Sequence, residues 1–416
     1  MVSTIPSPTE PGMPESSHRH NDDLLVSADA REATRKKFPK VFFLLDTSYL
    51  LNDFVRRDEL ANRQKRLSRI AGFWAVVLAA LGLCGAASAG VWSSWPDPAP
   101  RIVAILLAIC GFSSVWLAYE HTLNGNRKSK WLFARMMTER MRQFHFQTFI
   151  WRLGDIVAVL KGDIDESNFQ ERRNQWLDEL RRELEAARAV IMSQLLKPEM
   201  HAAVCLHGGD NLYRVPSIPA DASMDLLRDV FRAYDDLRFR IQRNYAIFKL
   251  REQDDPGNEA ALTRGPRRRL RLPWRWFPGM HMPPVQLRRT LDLLWSTTFV
   301  LLLALNGWVL VERLLGYDGL SQSPWVGAAI ITLAITPLAI RILQDGLMLR
   351  QDEDRYADYL SAIQPVRQAF VERLNSKHEG ANTVEECLQL MAEMERESYE
   401  EMRSFLRQGH AANFVF

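Results

Sequence analysis

The chain has 416 residues, 47% of them hydrophobic, with Lys+Arg 53 against Asp+Glu 50 and a net charge of +3. That near balance argues against bulk nucleic-acid binding, which needs a one-sided basic surface. Its four cysteines contain no C-x-x-C pair, so they form neither a disulfide framework nor a standard zinc motif. Mean hydropathy is −0.20, yet several long stretches carry no charge, so a minority of the chain is apolar enough for a bilayer and the remainder is a large soluble part.

In chain order, residues 1–29 are rich in Pro, Ser and Glu without an apolar core, and are expected to be a disordered tail rather than a signal peptide. Residues 30–160 form the first unit. Phe38–Phe54 is apolar but too short and too charged to span, which leaves an interfacial helix or an element packed on the soluble bundle. Ile70–Val91 follows a basic lead-in and holds 22 residues without charge. At ~1.5 Å per residue it reaches about 33 Å, enough for a hydrocarbon core of roughly 30 Å. Ile102–Tyr119 returns across the bilayer, and the two make a hairpin joined by Trp92–Arg101. Within the first span Gly82, Ala86 and Gly90 form a small-residue stripe at which another helix can approach closely. Ser129 to Leu160 continues as a helix with Phe133, Met137, Met141 and Phe144 on an apolar face, extended by Phe149 and Trp151, and with Arg135, Glu139, Arg140 and Arg142 on the other side.

Residues 161–262 read as a central helical region. Phe169, Trp176, Leu180, Leu184, Ala187, Ile191 and Leu195 repeat as a coiled-coil-like seam, intramolecular or between subunits. His201, Cys205, His207 and Asp210 are metal-ligand residue types at a spacing that fits no standard site, and no metal is expected. Ser223 to Arg251 is another amphipathic helix through Leu227, Phe231, Tyr234, Leu237 and Ile241. In the linker 263–290, Arg267, Arg268, Arg269, Arg271 and Arg275 interleave with Trp274 and Trp276, a pattern suited to anionic lipid headgroups.

The unit 291–343 holds a second hairpin, Leu293–Val311 with Trp325–Leu343. Thr298, Leu302 and Asn306 share one face of its first span; Thr332 and Thr336 share a face of the second, just before Pro337. These hydroxyls and the amide are the candidate lining of a conduction path, with interhelical hydrogen bonding as the competing use. Residues 344–416 add two helices. The second begins at a Thr383/Glu386 capping box, ends at Gly409 and carries a stripe from Val384 to Leu406. Basic residues crowd the same ends of both hairpins, which places both termini and the central region in the cytoplasm. The expected fold is an all-α integral membrane protein with four transmembrane helices in two hairpins and a large cytoplasmic helical bundle.

Arg127–Phe149 (RKSKWLFARMMTERMRQFHFQTF), directly after a two-span hairpin, resembles the signature helix of the SLATT superfamily, the SMODS- and SLOG-associating two-transmembrane effectors. Tyr234–Tyr245 (YDDLRFRIQRNY) and Glu395–Leu406 (ERESYEEMRSFL) are similar features of the second half, so the chain reads as a tandem of two such domains. The long insert 163–220 and the Arg-rich linker depart from that pattern. The resemblance implies a homo-oligomeric effector of the bacterial inner membrane that perforates or depolarises it, in anti-phage defence, when a sensor protein or nucleotide signal fires. The residues themselves leave two alternatives open: a ligand- or ion-responsive channel or transporter outside defence, and a membrane scaffold recruiting a cytoplasmic partner. No Walker motif, H-E-x-x-H or G-x-S-x-G is present, and the acidic residues sit in Glu/Arg-rich faces read as solvated, so neither an enzyme nor a cofactor is expected.

Overall fold

The computed structural model describes residues 21–122, 126–186, 188, 217–251, 284–315, 319, 322–376 and 381–411, and every regular element among them is helical. The first half contains α1 (Ala28–Lys37), α2 (Phe42–Leu45), α3 (Ser48–Ala87), α4 (Ala89–Trp92), α5 (Ala99–Thr122), α6 (Asn126–Trp151), α7 (Leu153–Lys161) and α8 (Glu166–Ala186). The second half contains α9 (Met224–Tyr234), a π turn Asp235–Phe239, α10 (Arg240–Arg251), α11 (Pro284–Leu314), α12 (Pro324–Leu347), α13 (Leu349–Leu374) and α14 (Ala381–Ala411).

Four of these helices, α3, α5, α11 and α12, are long and apolar enough to cross a membrane. Helix α3 passes without a break from polar sequence into the apolar stretch beginning at Ile70; its 40 residues extend about 60 Å at ~1.5 Å each. Helix α12 joins α13 through the single residue Met348, which adopts a left-handed φ of 60°. Such a conformation is uncommon outside glycine and stores strain unless the surroundings impose it; here Met348 is buried. Helix α3 thus runs unbroken between the bundle and its apolar stretch, whereas α12 is linked to the bundle by one residue.

The bundle is organised around α6, which packs against α3 and α14, while α13 pairs with α14 and with α10. Phe133, Met137, Met141, Phe144 and Phe149 are buried as the apolar spacing predicts. The opposite side of α6 is buried as well: Arg140 and Arg142 are each 1% exposed, and Gln143, His145 and Gln147 are also inside. The face read as solvated is thus interior, because α6 is enclosed on all sides. Burial at low dielectric holds His145 well below the usual histidine range, aided by Arg173 and Arg238, so it is neutral.

Charges enclosed in this way need partners. The π turn directs Arg238 onto Glu395 of α14 in a two-pronged pair, Nε to Oε1 at 2.8 Å and Nη2 to Oε2 at 3.0 Å. The Tyr234 hydroxyl donates to the same Oε1 at 2.8 Å. Burial is the largest single influence and opposes the Arg238 charge, but Glu395 together with Tyr359 and Tyr234 outweighs it and raises the guanidinium above its ordinary value. Asp23 completes the network, lying 3.2 Å from Arg142 Nε and accepting from Gln242 Nε2 at 2.7 Å. Burial nevertheless pushes the Asp23 carboxyl up.

Asp23 belongs to the stretch assigned from sequence to a disordered tail. Residues 22–25 instead form a 3-10 turn whose Leu24 and Leu25 are buried, and Thr47 donates its hydroxyl to the Leu24 carbonyl at 2.7 Å. Residues 1–20 lie outside the described residues. Phe38–Phe54 resolves to packing: Phe42, Phe43, Leu44, Leu45, Leu50 and Phe54 all enter the main core.

The α8 seam is intramolecular over its described part. Phe169, Leu177, Leu180 and Leu184 are buried with α6 and α2, while Trp176 lies half-buried under Arg152, 4.3 Å from its ring; Ala187, Ile191 and Leu195 fall outside. Gly409 does not end α14, which continues to Ala411. A Cβ at that glycine would lie 2.7 Å from Leu132 Cδ2, so its smallness lets α14 close on α6.

Candidate functional site in the membrane hairpins

Among the four long apolar helices α3 and α12 occupy the middle. Helix α3 packs on α5 and on α12, and α12 packs on α11. The contact between the hairpins is a small apolar cluster of Val76, Ala339 and Leu343, flanked by Phe73 and Ala80. Helices α5 and α11 are outermost: none of the apolar window of α11 is buried, against 28% for that of α12.

The first hairpin uses its small and polar residues on itself. Gly82 faces Gly111, so a Cβ there would lie 3.5 Å from the Gly111 backbone nitrogen and 3.7 Å from its Cα. Nearby, a Cβ at Gly85 would fall among the side-chain carbons of Leu107. Ser114 donates across the helix pair to the Ala75 carbonyl at 2.8 Å. The predicted stripe therefore divides. Gly82 serves α3–α5 packing within the chain, Gly90 sits 3.6 Å by its would-be Cβ from Pro324 of α12, and Ala86 is exposed. Gly85 and Ser114 were missed as packing residues, although Gly82-x-x-Gly85 and the Ser113-Ser114 pair are visible signals.

The second hairpin treats its polar residues differently. Thr298 donates to the Leu294 carbonyl at 2.7 Å, Asn306 Nδ2 to the Leu302 carbonyl at 2.8 Å, and Thr336 to the Thr332 carbonyl at 2.8 Å. Each bond returns to its own helix four residues back, as hydroxyls and amides do when no neighbour competes. Thr298 and Asn306 are on the outermost span α11, and Asn306 is exposed; Thr332 and Thr336 are half-buried on α12, beside the buried Pro337. Among the described residues no hydrogen bond joins the predicted lining residues of α11 to those of α12. They mark a polar track on α11, exposed at Asn306 and half-buried at Thr298, and a half-buried one on α12.

Exposed apolar side chains surround that track: Leu293, Val300, Leu303, Trp308 and Leu310 all face outward. At one end of the hairpin, Trp308 Nε1 donates to Glu312 at 2.8 Å. The lipid-interface candidates Arg267, Arg268, Arg269, Arg271, Trp274, Arg275 and Trp276 lie outside the described residues, as do His201, Cys205, His207 and Asp210. Among the described residues no cluster of His, Cys, Asp and Glu could hold a metal ion.

Compared with models of known protein families, with curated proteins and with solved structures, the chain matches none of them.

Proposed function

We propose that this protein is a homo-oligomeric membrane effector that conducts ions across the bacterial inner membrane when triggered, with the faces of α11 and α12 that carry Thr298, Asn306, Thr332 and Thr336 lining the path. Both termini and the helical bundle lie in the cytoplasm in this reading, and the trigger reaches the spans through it. A role in anti-phage defence rests on the resemblance to the SLATT superfamily.

One observation carries the reading. Asn306 is exposed on the outermost span, satisfied only through Nδ2 by its own helix, and no described residue meets its amide oxygen. A bare amide oxygen in hydrocarbon is costly. A second copy of the chain or a file of water removes that cost, and α11 alone encloses neither. An assembled ring supplies both.

The test is Asn306→Leu combined with Thr336→Val, expressed in bacterial cells and followed with a voltage-sensitive dye. Wild-type chain should depolarise the membrane before viability falls. The double variant should leave the potential intact while keeping its expression and its mass in detergent, because an apolar constriction dewets and blocks ions. Depolarisation equal to wild type would remove this face from the path. An intact potential with wild-type protein, with and without infection, would sink the effector and leave a membrane scaffold, which the self-satisfied hydroxyls of Thr298 and Thr336 also suit.

A further inference from the structure

A polar cavity of about 400 Å³ lies in the bundle next to the ends of the central spans, walled by α3, α6, α10, α13 and α14 and by Leu347 at the end of α12. That volume falls in the roughly 300–1,000 Å³ range of small-molecule sites. Most charges on its wall are already matched. Arg135 pairs with Asp58 at 3.2 Å and with Glu139 at 2.5 Å; Arg355 pairs with Asp352 at 3.1 Å and with Glu401 at 3.0 Å. These pairs engage all four carboxylates of the wall, which also carries Lys65, Arg69 and Lys249.

Lys65 is the decisive residue. It sits on α3 ahead of the apolar stretch, with its ammonium 5.9 Å from the Trp131 ring centre and 5.6 Å from that of Phe405, and no described carboxylate pairs with it. One turn on, Arg69 reaches Asp352 only at 3.7 Å and gives its Nη2 to the Leu347 carbonyl at 3.1 Å. Two cations on one helix face thus line the cavity, one with no carboxylate in ion-pair contact, although Asp352 is near enough to favour its charge, and the other loosely held. An unpaired buried ammonium is unfavourable, and burial, with Arg69 next, brings Lys65 down to about 7. A multivalent oxyanion removes that penalty. A phosphate suits a lysine point charge beside a guanidinium fork, and Tyr245 and Tyr356 add hydroxyls to the wall.

We propose that this cavity is a binding site for a phosphate group, with Lys65 and Arg69 as its principal ligands. The phosphate comes from a free small molecule or from a lipid headgroup entering from the adjoining membrane boundary. The site adjoins the Met348 joint through the Arg69–Leu347 bond, so an occupant that draws Arg69 inward acts on the end of α12.

The test uses the full chain purified in a maltoside detergent, with binding read by calorimetry and by the thermal unfolding midpoint. Inorganic pyrophosphate and, separately, a short-chain phosphatidic acid are titrated against sodium chloride of equal ionic strength. Binding of pyrophosphate assigns a soluble source, and binding of the phosphatidic acid alone assigns a lipid one. In either case Lys65→Met should weaken the binding at least tenfold while the ligand-free midpoint stays level or rises. Arg69→Gln should weaken the same binding and serves as the reading if Lys65→Met does not fold. Absence of binding by both probes, or binding unaffected by these variants, overturns the proposal. Conduction is not measured, so failure here is separate from failure of the effector reading.

Discussion

The bundle and the spans handle polarity in opposite directions. In the bundle, Arg238, Glu395, Arg142 and Asp23 are buried and bonded to one another, and apolar side chains fill the space around them. In the spans, Ile105, Phe112, Leu303 and Trp308 face outward, and the few polar groups bond to their own helix or to an immediate neighbour. The difference locates stability. The bundle is held by what it encloses, whereas the four apolar helices bury little of their surface within the chain, and in a bilayer helices of that kind have no hydrophobic drive to associate.

The largest effect expected from this contrast is in the bundle. Glu395→Ala strips the two-pronged partner from Arg238 and the acceptor from the Tyr234 hydroxyl and leaves the buried guanidinium with only Asp23, 3.6 Å away, a loss approaching the about 3–5 kcal/mol of a fully broken buried pair. Thermal unfolding should show this loss equally in detergent and in lipid; a loss that depends on the lipid would mean the network is wetter than it stands here. Next comes Gly82→Leu. Its added carbons meet the backbone at Gly111, and overpacking of that kind costs about 1–3 kcal/mol. It should separate α3 from α5, seen as loss of a cross-link between cysteines placed on the two helices, and a retained cross-link would count against close packing. Opposite in sign and smaller is Gly307→Ala on α11, where a Cβ meets nothing within 4 Å. Helix propensity alone favours alanine there by roughly 0.5–1 kcal/mol. If the variant weakens a cross-linked oligomer instead, another copy of the chain covers that face.

The contrast also explains which parts of the structure were legible in the sequence. Four charge-free stretches form long apolar helices, and helices α5 and α12 begin and end within four residues of the predicted limits. The stripe Val384, Cys387, Leu388, Met391, Met394, Tyr399, Met402 and Leu406 is buried throughout, because apolar periodicity reports a single contact surface directly. Periodicity misled where a helix has contacts on every side. Arg140, Arg142 and Glu395 alternate with apolar residues as a solvated face does, and only the arrival of α9, α10 and residues 22–25 from distant sequence turns that face inward. Gly409 misled in the same way, since a helix end and a close helix approach both call for glycine and only the neighbour Leu132 separates them. As for the candidate site, the polar residues of the second hairpin were visible, but the outward placement of Asn306 on α11 depends on which of the apolar helices are central, a property of packing between α3 and α12 that no local pattern encodes.

The smallest expected effect tests whether Lys65 is as isolated as its surroundings indicate. The ordinary lysine value is 10.5, and burial, with Arg69 as the next contributor, brings it down to about 7. Arg355 and Arg135 push in the same direction, and Asp352 opposes them; Lys249 and Glu401 complete the charged wall. Between pH 7 and 10.5 the unfolded chain keeps a proton on Lys65 that the folded chain has released. With more protons bound in the unfolded state, stability rises with pH across that window, the reverse of what a lysine stabilised by a carboxylate contributes. Wild-type unfolding midpoints should therefore climb toward those of Lys65→Met as pH increases from 7 to 10, because neighbouring groups common to both proteins cancel in the difference. A gap between the two proteins that stays constant with pH would mean that Lys65 keeps its charge, held by a counter-ion or by water inside the cavity, and the bundle would then have no unpaired cation to set against its paired ones.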